Sequence, residues 1–312
     1  DWVSTPSNDK TPAQLSKTII NLARKENLKT TLLNPKQLQQ EKFGALLAVA
    51  AGSRNTPRLA VLEYAPKGAK KTIALVGKGV TFDAGGINLK PTGGLEDMKC
   101  DMSGAAAVAA TLISVAKLKP HVRIVGVLPL VENMISGNAT RPGDIIKSYA
   151  GKTIEIGNTD AEGRLILADA MSYTLKRYKP DVMVDVATLT GACVVALGEK
   201  IAGLFTSDEA LAEAILASGQ KTHERTWRLP LPEDYKELLK SDFADTNNMS
   251  STRWGGAITA ALFLSDFTEG TRWAHIDIAG PAYQKKASAY CDAGGTGFGV
   301  RLFCDLIDRL GP

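Results

Sequence analysis

Apolar residues follow helical spacing in some segments of the chain and form short continuous runs in others. In residues 11–27, Leu15, Ile19 and Leu22 recur at the three- to four-residue spacing of one helix face. Residues 103–118 are rich in small side chains, which allow a helix to lie close against a sheet. Further helices are predicted over 163–178, 208–221, 256–268 and 298–310.

Strand-like runs lie between these helices. Residues 121–132 and 181–191 are continuously apolar, as expected of strands that are buried on both faces. Residues 58–65 and 72–80 are also strand-like, and the Lys-Gly-Ala-Lys between them is typical of a hairpin. Another strand is predicted over 272–279. Buried strands that alternate with helices predict a three-layer α/β fold, and no linker divides the chain, so we expect one domain.

Composition narrows the class of protein. The 312 residues are 44% hydrophobic and 22% charged, which is typical of a soluble globular protein. The net charge of +4 comes without a block of Lys or Arg, so nucleic acid is not an expected partner. No apolar run reaches membrane-spanning length and no signal-peptide pattern is present, so no membrane association is expected. The four cysteines form no CxxC pair, which favours a reducing compartment and predicts the cytoplasm.

Two glycine-rich stretches, 76–104 and 157–171, contain an unusual concentration of charged residues. Loops at the carboxyl ends of buried strands are where open α/β sheets bind ligands. The first stretch does not fit a phosphate-binding loop, because Gly79 follows Lys78 where Ser or Thr is required. It does not fit GxGxxG either, because Phe82 occupies the last glycine position. The glycines would instead let the backbone approach a compact site.

Four carboxylates in these stretches could form a metal site: Asp83, Asp101, Asp160 and Glu162. If they converge they repel one another, and two divalent cations would neutralise them. Oxygen ligands suit Mg²⁺, Mn²⁺ or Zn²⁺. Ordinary solvated loop charge is the alternative, and spacing alone leaves both interpretations open.

Other catalytic chemistries have less support in the sequence. His121, His223 and His275 are scattered, and each is more simply explained as a core or surface histidine. Ser103 does not lie in a GxSxG motif. Cys100 has no histidine near it in sequence, so a buried and inert thiol explains it better than a nucleophile.

The stretch NTDAEGRL (158–165) resembles the signature of the leucyl aminopeptidase family, the dinuclear metallo-exopeptidases also known as cytosol aminopeptidases. The family's other motifs are matched in order and spacing by VGKGVTFDAGGINLKP, DMKCDMSGAAAV, DVATLTGA and WAHIDIAG. The resemblance implies a catalytic metallopeptidase domain over residues 1–312, with a zinc-exopeptidase-like fold and a mixed central sheet. The family usually has a smaller N-terminal domain, and this chain starts near the catalytic boundary without Met. We therefore expect a fragment or a processed form.

The resemblance also implies a set of metal ligands. Asp83 and Glu162 correspond to carboxylates that bridge two metal ions. Lys78 and Asp101 correspond to the remaining ligands of one ion, and Asp160 to a ligand of the other. An amine ligand must be neutral, and a metal beside Lys78 would supply the lowered pKa that this requires. The implied ions are Zn²⁺ or Mn²⁺, with Mg²⁺ as a further possibility.

Two implied catalytic residues are cations. Lys90 would stabilise the oxyanion of the tetrahedral intermediate. Arg164 would hold bicarbonate, the general base, where a helix N-terminus favours an anion. We expect 158–162 to be extended, with the helix starting just after, because residues two apart face the same way only in an extended chain. The implied substrate-binding residues are Met98, Asn158, Thr188, Leu189 and Gly191.

The implied function is a metal-dependent aminopeptidase. It would remove an N-terminal leucine or another apolar residue from short peptides, through water activated by two metal ions. The resemblance also implies a homohexamer. Two functions from other classes are alternatives. A DNA-binding or regulatory role, known for some family members, is disfavoured by the low net charge. A dinuclear phosphoesterase would share the two-metal chemistry.

Overall fold

The computed structural model describes residues 1–311. Three short 3₁₀ helices lie within that range, at Ser7–Asp9, Met98–Cys100 and Glu233–Leu239. The α-helices in the same range are α1 (Pro12–Lys25), α2 (Pro35–Gln40), α3 (Gly44–Ala50), α4 (Ser103–Leu118), α5 (Glu162–Tyr178), α6 (Gly191–Leu197), α7 (Glu209–Thr222), α8 (Gly256–Ser265) and α9 (Val300–Leu310).

The strands form one large sheet and two small ones. The strands described in residues 1–311 are β1 (Lys29–Leu33), β2 (Arg58–Tyr64), β3 (Thr72–Gly77), β4 (Gly79–Asp83), β5 (Arg123–Asn133), β6 (Ile145–Lys147), β7 (Thr153–Glu155), β8 (Val182–Ala187), β9 (Ala202–Phe205), β10 (Thr226–Arg228), β11 (Thr246–Asn247), β12 (Arg272–Asp277), β13 (Tyr283–Gln284) and β14 (Gly294–Gly295).

The large sheet is mixed. Its order is β1-β2-β5-β3-β8-β12-β9-β10, and β4 pairs with β5 beyond the end of β3. The central strands β5, β3, β8 and β12 are parallel to one another, whereas β1, β2 and β9 make antiparallel pairs toward the two edges. The carboxyl ends of the four central strands therefore meet at one edge of the sheet.

Helices cover both faces of this sheet. In β3, Ile73 and Leu75 pack into a core with α1, α4, α7 and α9, whereas Ala74 and Val76 pack into a second core with α3, α5 and α8. This alternation follows from the two-residue period of a strand. The structure therefore confirms the predicted three-layer α/β/α fold with a mixed central sheet.

The predicted hairpin between β2 and β3 is wrong. Both strands pair with β5, which lies between them, β2 antiparallel and β3 parallel. The connection through Lys67 and Lys70 thus crosses over one strand instead of forming a tight turn. Local turn residues cannot reveal this, because β5 arrives from much later in the chain and its apolar residues require a central position.

The predicted long elements lie close to the observed ones. The helices at 103–118 and 163–178 match α4 and α5 to within one residue. The strand-like run 72–80 is divided at Lys78, which separates β3 from β4. The sequence interpretation missed β1, α2, α3, β9 and β10, which are all short.

One helical segment, Met98–Leu118, is long and apolar enough by length and composition to cross a membrane. This corrects the expectation that no apolar run reaches that length. About two thirds of the segment's most apolar window, 67%, is buried inside the domain. It contains α4, whose small side chains pack against β3 and β5, so its apolar character is that of a core helix.

Close backbone contacts place the start of α4 against the sheet. A Cβ on Gly104 would lie 2.1 Å from the carbonyl oxygen of Val186 in β8. A Cβ on Gly77, at the end of β3, would lie 2.4 Å from the carbonyl oxygen of Gly104. Only glycine fits at these two positions, and the contact brings the loop before α4 to the carboxyl ends of β3 and β8.

Asp169 is a fully buried carboxylate that connects α5 to its neighbours. It accepts hydrogen bonds from the backbone N–H groups of Leu46 at 2.9 Å and Tyr149 at 2.7 Å. Leu46 lies in the first turn of α3, whose N–H groups have no partner within the helix. Burial raises the pKa of Asp169 to about 7, although these N–H groups act in the opposite direction.

We expect Asp169 to make the protein less stable as pH rises from about 4 to about 7. Its folded pKa lies above the unfolded value, so the folded protein retains a proton that the unfolded chain releases. The free energy of unfolding should fall by up to about 1.4 kcal/mol per pH unit in this window. Urea unfolding of the wild type and Asp169→Asn across the window measures the contribution, which the variant should lose. An equal pH dependence in both proteins would contradict it.

Candidate metal centre

The four acidic candidates and Lys78 meet at the carboxyl edge of the central strands. Lys78 lies between β3 and β4, and Asp83 is the last residue of β4. Asp101 follows the 3₁₀ helix that precedes α4. Asp160 and Glu162 lie at the start of α5. Residues far apart in sequence therefore converge here because neighbouring parallel strands end at the same edge.

Lys78 occupies the buried side of this cluster. Its Nζ lies 2.8 Å from Asp101 Oδ1 and 2.9 Å from Glu162 Oε1. It also donates to the backbone carbonyl of Thr188 at 2.7 Å. A Cβ on Gly163 would lie 2.7 Å from Cε of Lys78, so the absence of a side chain at that position leaves room for the lysine. These contacts fix the amine in a narrow space.

Lys90 occupies the more open side of the cluster. Its Nζ lies 2.8 Å from Asp83 Oδ2 and 2.6 Å from Asp160 Oδ1. The side chain of Lys90 is 17% exposed and that of Asp160 is 33% exposed. Carboxylate oxygens of Asp83, Asp160 and Glu162 all lie within 4.8 Å of one another. Three carboxylates at such separations are suited to binding one or more cations.

The cluster contains more negative than positive charge. Four carboxylates face two ammonium groups, and burial raises the pKa of Glu162 to about 8 and that of Asp101 to about 6. The pKa of Lys78 is also raised; burial opposes this, but the surrounding carboxylates outweigh it. Oδ2 of Asp101 is buried and accepts no hydrogen bond from the described part of the chain. These residues therefore fit a site for divalent cations.

The prediction that residues 158–162 are extended is wrong. The N–H of Ala161 donates to the carbonyl of Asn158 at 3.2 Å, which closes a turn. The side-chain oxygen of Asn158 accepts the N–H of Asp160 at 2.7 Å, a local bond that asparagine favours in turns. The helix begins at Glu162 itself. Asp160 and Glu162 still reach the same cluster, because the turn folds one toward the other.

Arg164 is the third residue of α5 and is buried, with 6% exposure. It lies within the first turn, as predicted, but not at an open helix end. Its Nη1 donates to the backbone carbonyl of Asn248 at 2.8 Å. Its Nε has no partner among the described residues. Burial lowers the pKa of Arg164 to about 10, so it remains a cation near neutral pH with a free donor. A buried donor of this kind fits an anionic partner.

A second buried polar group joins β8 to β12. Asp185 accepts a hydrogen bond from Nε1 of Trp273 at 2.7 Å, and its other oxygen lies 2.6 Å from Nδ1 of His275. Although burial opposes it, this carboxylate raises the pKa of His275. His275 is thus held in the core by Asp185. The sequence interpretation missed this pair, and the signal was two polar residues within apolar strands.

Asp277, at the end of β12, holds the loop after β8. Its carboxylate accepts the N–H groups of Leu189 at 3.1 Å and Thr190 at 3.0 Å, and the hydroxyl of Thr190 at 2.7 Å. The same loop supplies the Thr188 carbonyl that binds Lys78. Trp273, His275 and Asp277 would share one strand face by their two-residue spacing, which could have identified Asp277 from the sequence.

Comparison with known proteins identifies the family of this chain. The model of the "Cytosol aminopeptidase family, catalytic domain" matches residues 1–304. The chain belongs to the cytosol aminopeptidase family. It is 52% identical over 309 residues to a probable cytosol aminopeptidase of Chlorobaculum tepidum, covering 98% of this chain and 61% of that protein. A probable cytosol aminopeptidase of Nitrosomonas europaea is 53% identical over 298 residues, covering 95% of this chain and 59% of that protein. The chain thus spans about three fifths of the length of these relatives.

The five substrate-binding candidates in this member of the cytosol aminopeptidase family differ in their surroundings. Met98 and Leu189 are half-buried and Gly191 is exposed, so all three can contact a ligand. The hydroxyl of Thr188 donates to Asp101 at 2.7 Å. The side-chain oxygen of Asn158 is bonded to the turn that carries Asp160. The last two side chains thus already hold acidic residues of the cluster.

Proposed function

We propose that this chain is the catalytic domain of a metal-dependent aminopeptidase. The observation that carries the proposal is the convergence of Asp83, Asp160 and Glu162, whose oxygens lie within 4.8 Å of one another, at the carboxyl edge of the sheet. Membership of the cytosol aminopeptidase family supports the reaction class. We assign residues 1–312 to this one domain.

Five residues would hold the cations: Lys78, Asp83, Asp101, Asp160 and Glu162. We propose two divalent ions, Zn²⁺ or Mn²⁺ with Mg²⁺ as an alternative. When bound, they would supply a nucleophilic water near neutral pH and polarise the scissile carbonyl. Burial already disfavours a charged amine at Lys78. The nearby carboxylates stabilise the protonated amine of Lys78. A cation bound among them would neutralise their charge and so favour the neutral amine.

Lys90 and Arg164 would act on the substrate side. Lys90 is the more exposed of the two lysines, and its ammonium group would donate to the carbonyl oxygen as that oxygen gains negative charge. Arg164, with its free Nε donor, would hold bicarbonate as the general base. Both groups are fixed by neighbouring residues before a substrate binds, which lowers the cost of organising the transition state.

The apolar contacts favour an apolar first residue in the substrate. Met98 and Leu189 are half-buried apolar residues in the segments that carry Asp101 and Thr188, and a flexible Met accommodates different shapes. We therefore propose short peptides with N-terminal leucine or another apolar residue as substrates. The cysteine pattern and the description of the relatives as probable cytosol aminopeptidases support a cytoplasmic location.

We also propose assembly into a homohexamer. Several large apolar side chains are exposed on the described chain, among them Val195 at 90%, Trp254 at 67% and Trp227 at 62%. Exposed apolar groups of this size are commonly covered by partner subunits.

Chelation should abolish hydrolysis of aminoacyl anilides, and Mn²⁺ or Zn²⁺ should restore it. The physical reason is that the carboxylate cluster offers no other source of an activated water. A panel of leucyl, alanyl, lysyl and glutamyl anilides, with a phosphate monoester as a control substrate, measures both metal dependence and preference. Full activity in a preparation shown by elemental analysis to contain no metal would refute the proposal. Hydrolysis of the phosphate ester alone would favour a phosphoesterase.

Variants of the charged residues should separate metal binding from catalysis. Glu162→Ala should lose both metal and rate. Lys90→Ala should keep its metal and lose kcat by roughly 10²-fold, the scale of removing one oxyanion donor. Arg164→Ala should no longer respond to added bicarbonate. Metal analysis and steady-state kinetics test all three variants, and an unchanged kcat in Lys90→Ala would show that its role is wrongly assigned.

Sedimentation equilibrium should show a single species near six times the 33.2 kDa mass of the chain. Burial of the exposed apolar side chains between subunits is the expected driving force. An active preparation that remains at 33.2 kDa across dilution would rule out the hexamer.

A further inference from the structure

Thr159 and Asn88 are bonded to each other in both directions. The backbone N–H of Thr159 donates to Oδ1 of Asn88 at 2.9 Å, and the backbone N–H of Asn88 donates to Oγ1 of Thr159 at 2.9 Å. The Thr159 hydroxyl in turn donates to the carbonyl of Gly85 at 2.6 Å. The Thr159 hydroxyl thus donates to one residue of the loop 84–90 and accepts from another.

The loop that receives these bonds carries Lys90. Gly85 and Gly86 adopt φ values of +89° and +66°, a region that glycine reaches easily. Because glycine restricts the backbone little, the loop in isolation would have much conformational freedom. Within the loop, the N–H of Lys90 donates to the carbonyl of Ala84 at 3.0 Å. The other end of Lys90, its Nζ, lies on the carboxylates of the metal cluster. The loop therefore needs an external contact to hold a defined position.

We infer that Thr159 is a positioning residue for Lys90. Its hydroxyl fixes the loop 84–90 onto the turn 158–161, and Asp160 follows it directly in that turn. The Thr159 hydroxyl thus contributes two of the bonds that set the distance between Lys90 and the carboxylates. The inference rests on the proposed oxyanion role of Lys90, and it assigns a role to a residue of NTDAEGRL that is not among the proposed metal ligands.

Asn133 holds Asp83 and the turn through bonds that do not need the Thr159 hydroxyl. Its Nδ2 donates to Asp83 Oδ1 at 2.8 Å and to the backbone carbonyl of Thr159 at 3.1 Å. The second bond involves the backbone and does not need the hydroxyl. Replacing the hydroxyl should therefore leave Asp83 and the turn held by Asn133. It removes two bonds between the turn and the loop that carries Lys90, and it leaves the bond from the Thr159 N–H to Asn88 Oδ1.

The test compares Thr159→Val, which removes the hydroxyl at nearly constant shape, with Thr159→Ser, which keeps it. Thr140→Val is the matched control, because the Thr140 hydroxyl donates to the carbonyl of Ala48 at 2.6 Å and makes no hydrogen bond to the loop 84–90 among the described residues. The first measurement is the rate of Lys90 acetylation by mass spectrometry, relative to the exposed Lys119 in the same protein. We expect faster acetylation of Lys90 in Thr159→Val alone, because its ammonium is then less firmly held.

Kinetics provide the second measurement. Thr159→Val should lower kcat by about 10- to 100-fold, the scale of misplacing a catalytic group by about 1 Å, while KM and bound metal stay close to wild type. Thr159→Ser should retain most of the rate. In a Lys90→Ala background the Val substitution should have almost no further effect, because it acts through the lysine.

Several results would overturn the inference. Unchanged acetylation of Lys90 in Thr159→Val would do so whether or not the protein is an aminopeptidase, which distinguishes this failure from that of the proposed function. A loss of metal together with rate, or a full additional loss in Lys90→Ala, would show a general structural role. If Thr159→Val does not fold, Thr159→Ala replaces it, because it removes the same hydroxyl bonds, and the same results are expected.

Discussion

The convergence of like charges at the carboxyl edge of the central strands is the constraint on which the rest of the structure depends. Asp83 and Glu162 are almost fully buried, and burial of several carboxylates in one place is costly unless cations compensate them. Lys78 and Lys90 provide part of that compensation, each between two carboxylates. Each side chain in the cluster consequently has to be held against repulsion by its own surroundings.

Glycine makes this crowding sterically possible. Gly163 leaves room for the Lys78 side chain in the first turn of α5, and Gly104 lets α4 approach β8 closely enough to place Asp101. The same cores that bury α4 and α5 on opposite faces of the sheet bring both helix starts to one edge. The packing of the two layers and the geometry of the charges therefore depend on each other.

Long elements and the acidic residues could be predicted from the sequence, whereas their connections could not. The apolar periodicity of 103–118 and 163–178 is local, so it identifies α4 and α5 nearly to the residue. The position of β5 between β2 and β3 depends on pairing across the sheet, which local turn residues do not encode. The turn at Asn158 was also missed. It depends on the hydrogen bond from the Asp160 N–H to the Asn158 side chain, which the direction of neighbouring side chains does not reveal. The buried Asp185 and Asp277 were missed because their partners lie far away in sequence, on β12 for Asp185 and in the loop after β8 for Asp277.

The buried carboxylates outside the cluster show why the cluster itself points to cations. Asp169 accepts backbone N–H groups on both oxygens, and Asp277 accepts N–H groups and a hydroxyl. Asp185 is bonded by an indole and an imidazole. Each of these three acids has hydrogen-bond partners on both carboxylate oxygens, as buried structural carboxylates generally do. Asp101, in contrast, has both its hydrogen bonds on one oxygen and leaves Oδ2 buried without a donor among the described residues. A carboxylate that is buried and yet left with a free oxygen beside three other carboxylates has the properties of a metal ligand and not those of a structural acid.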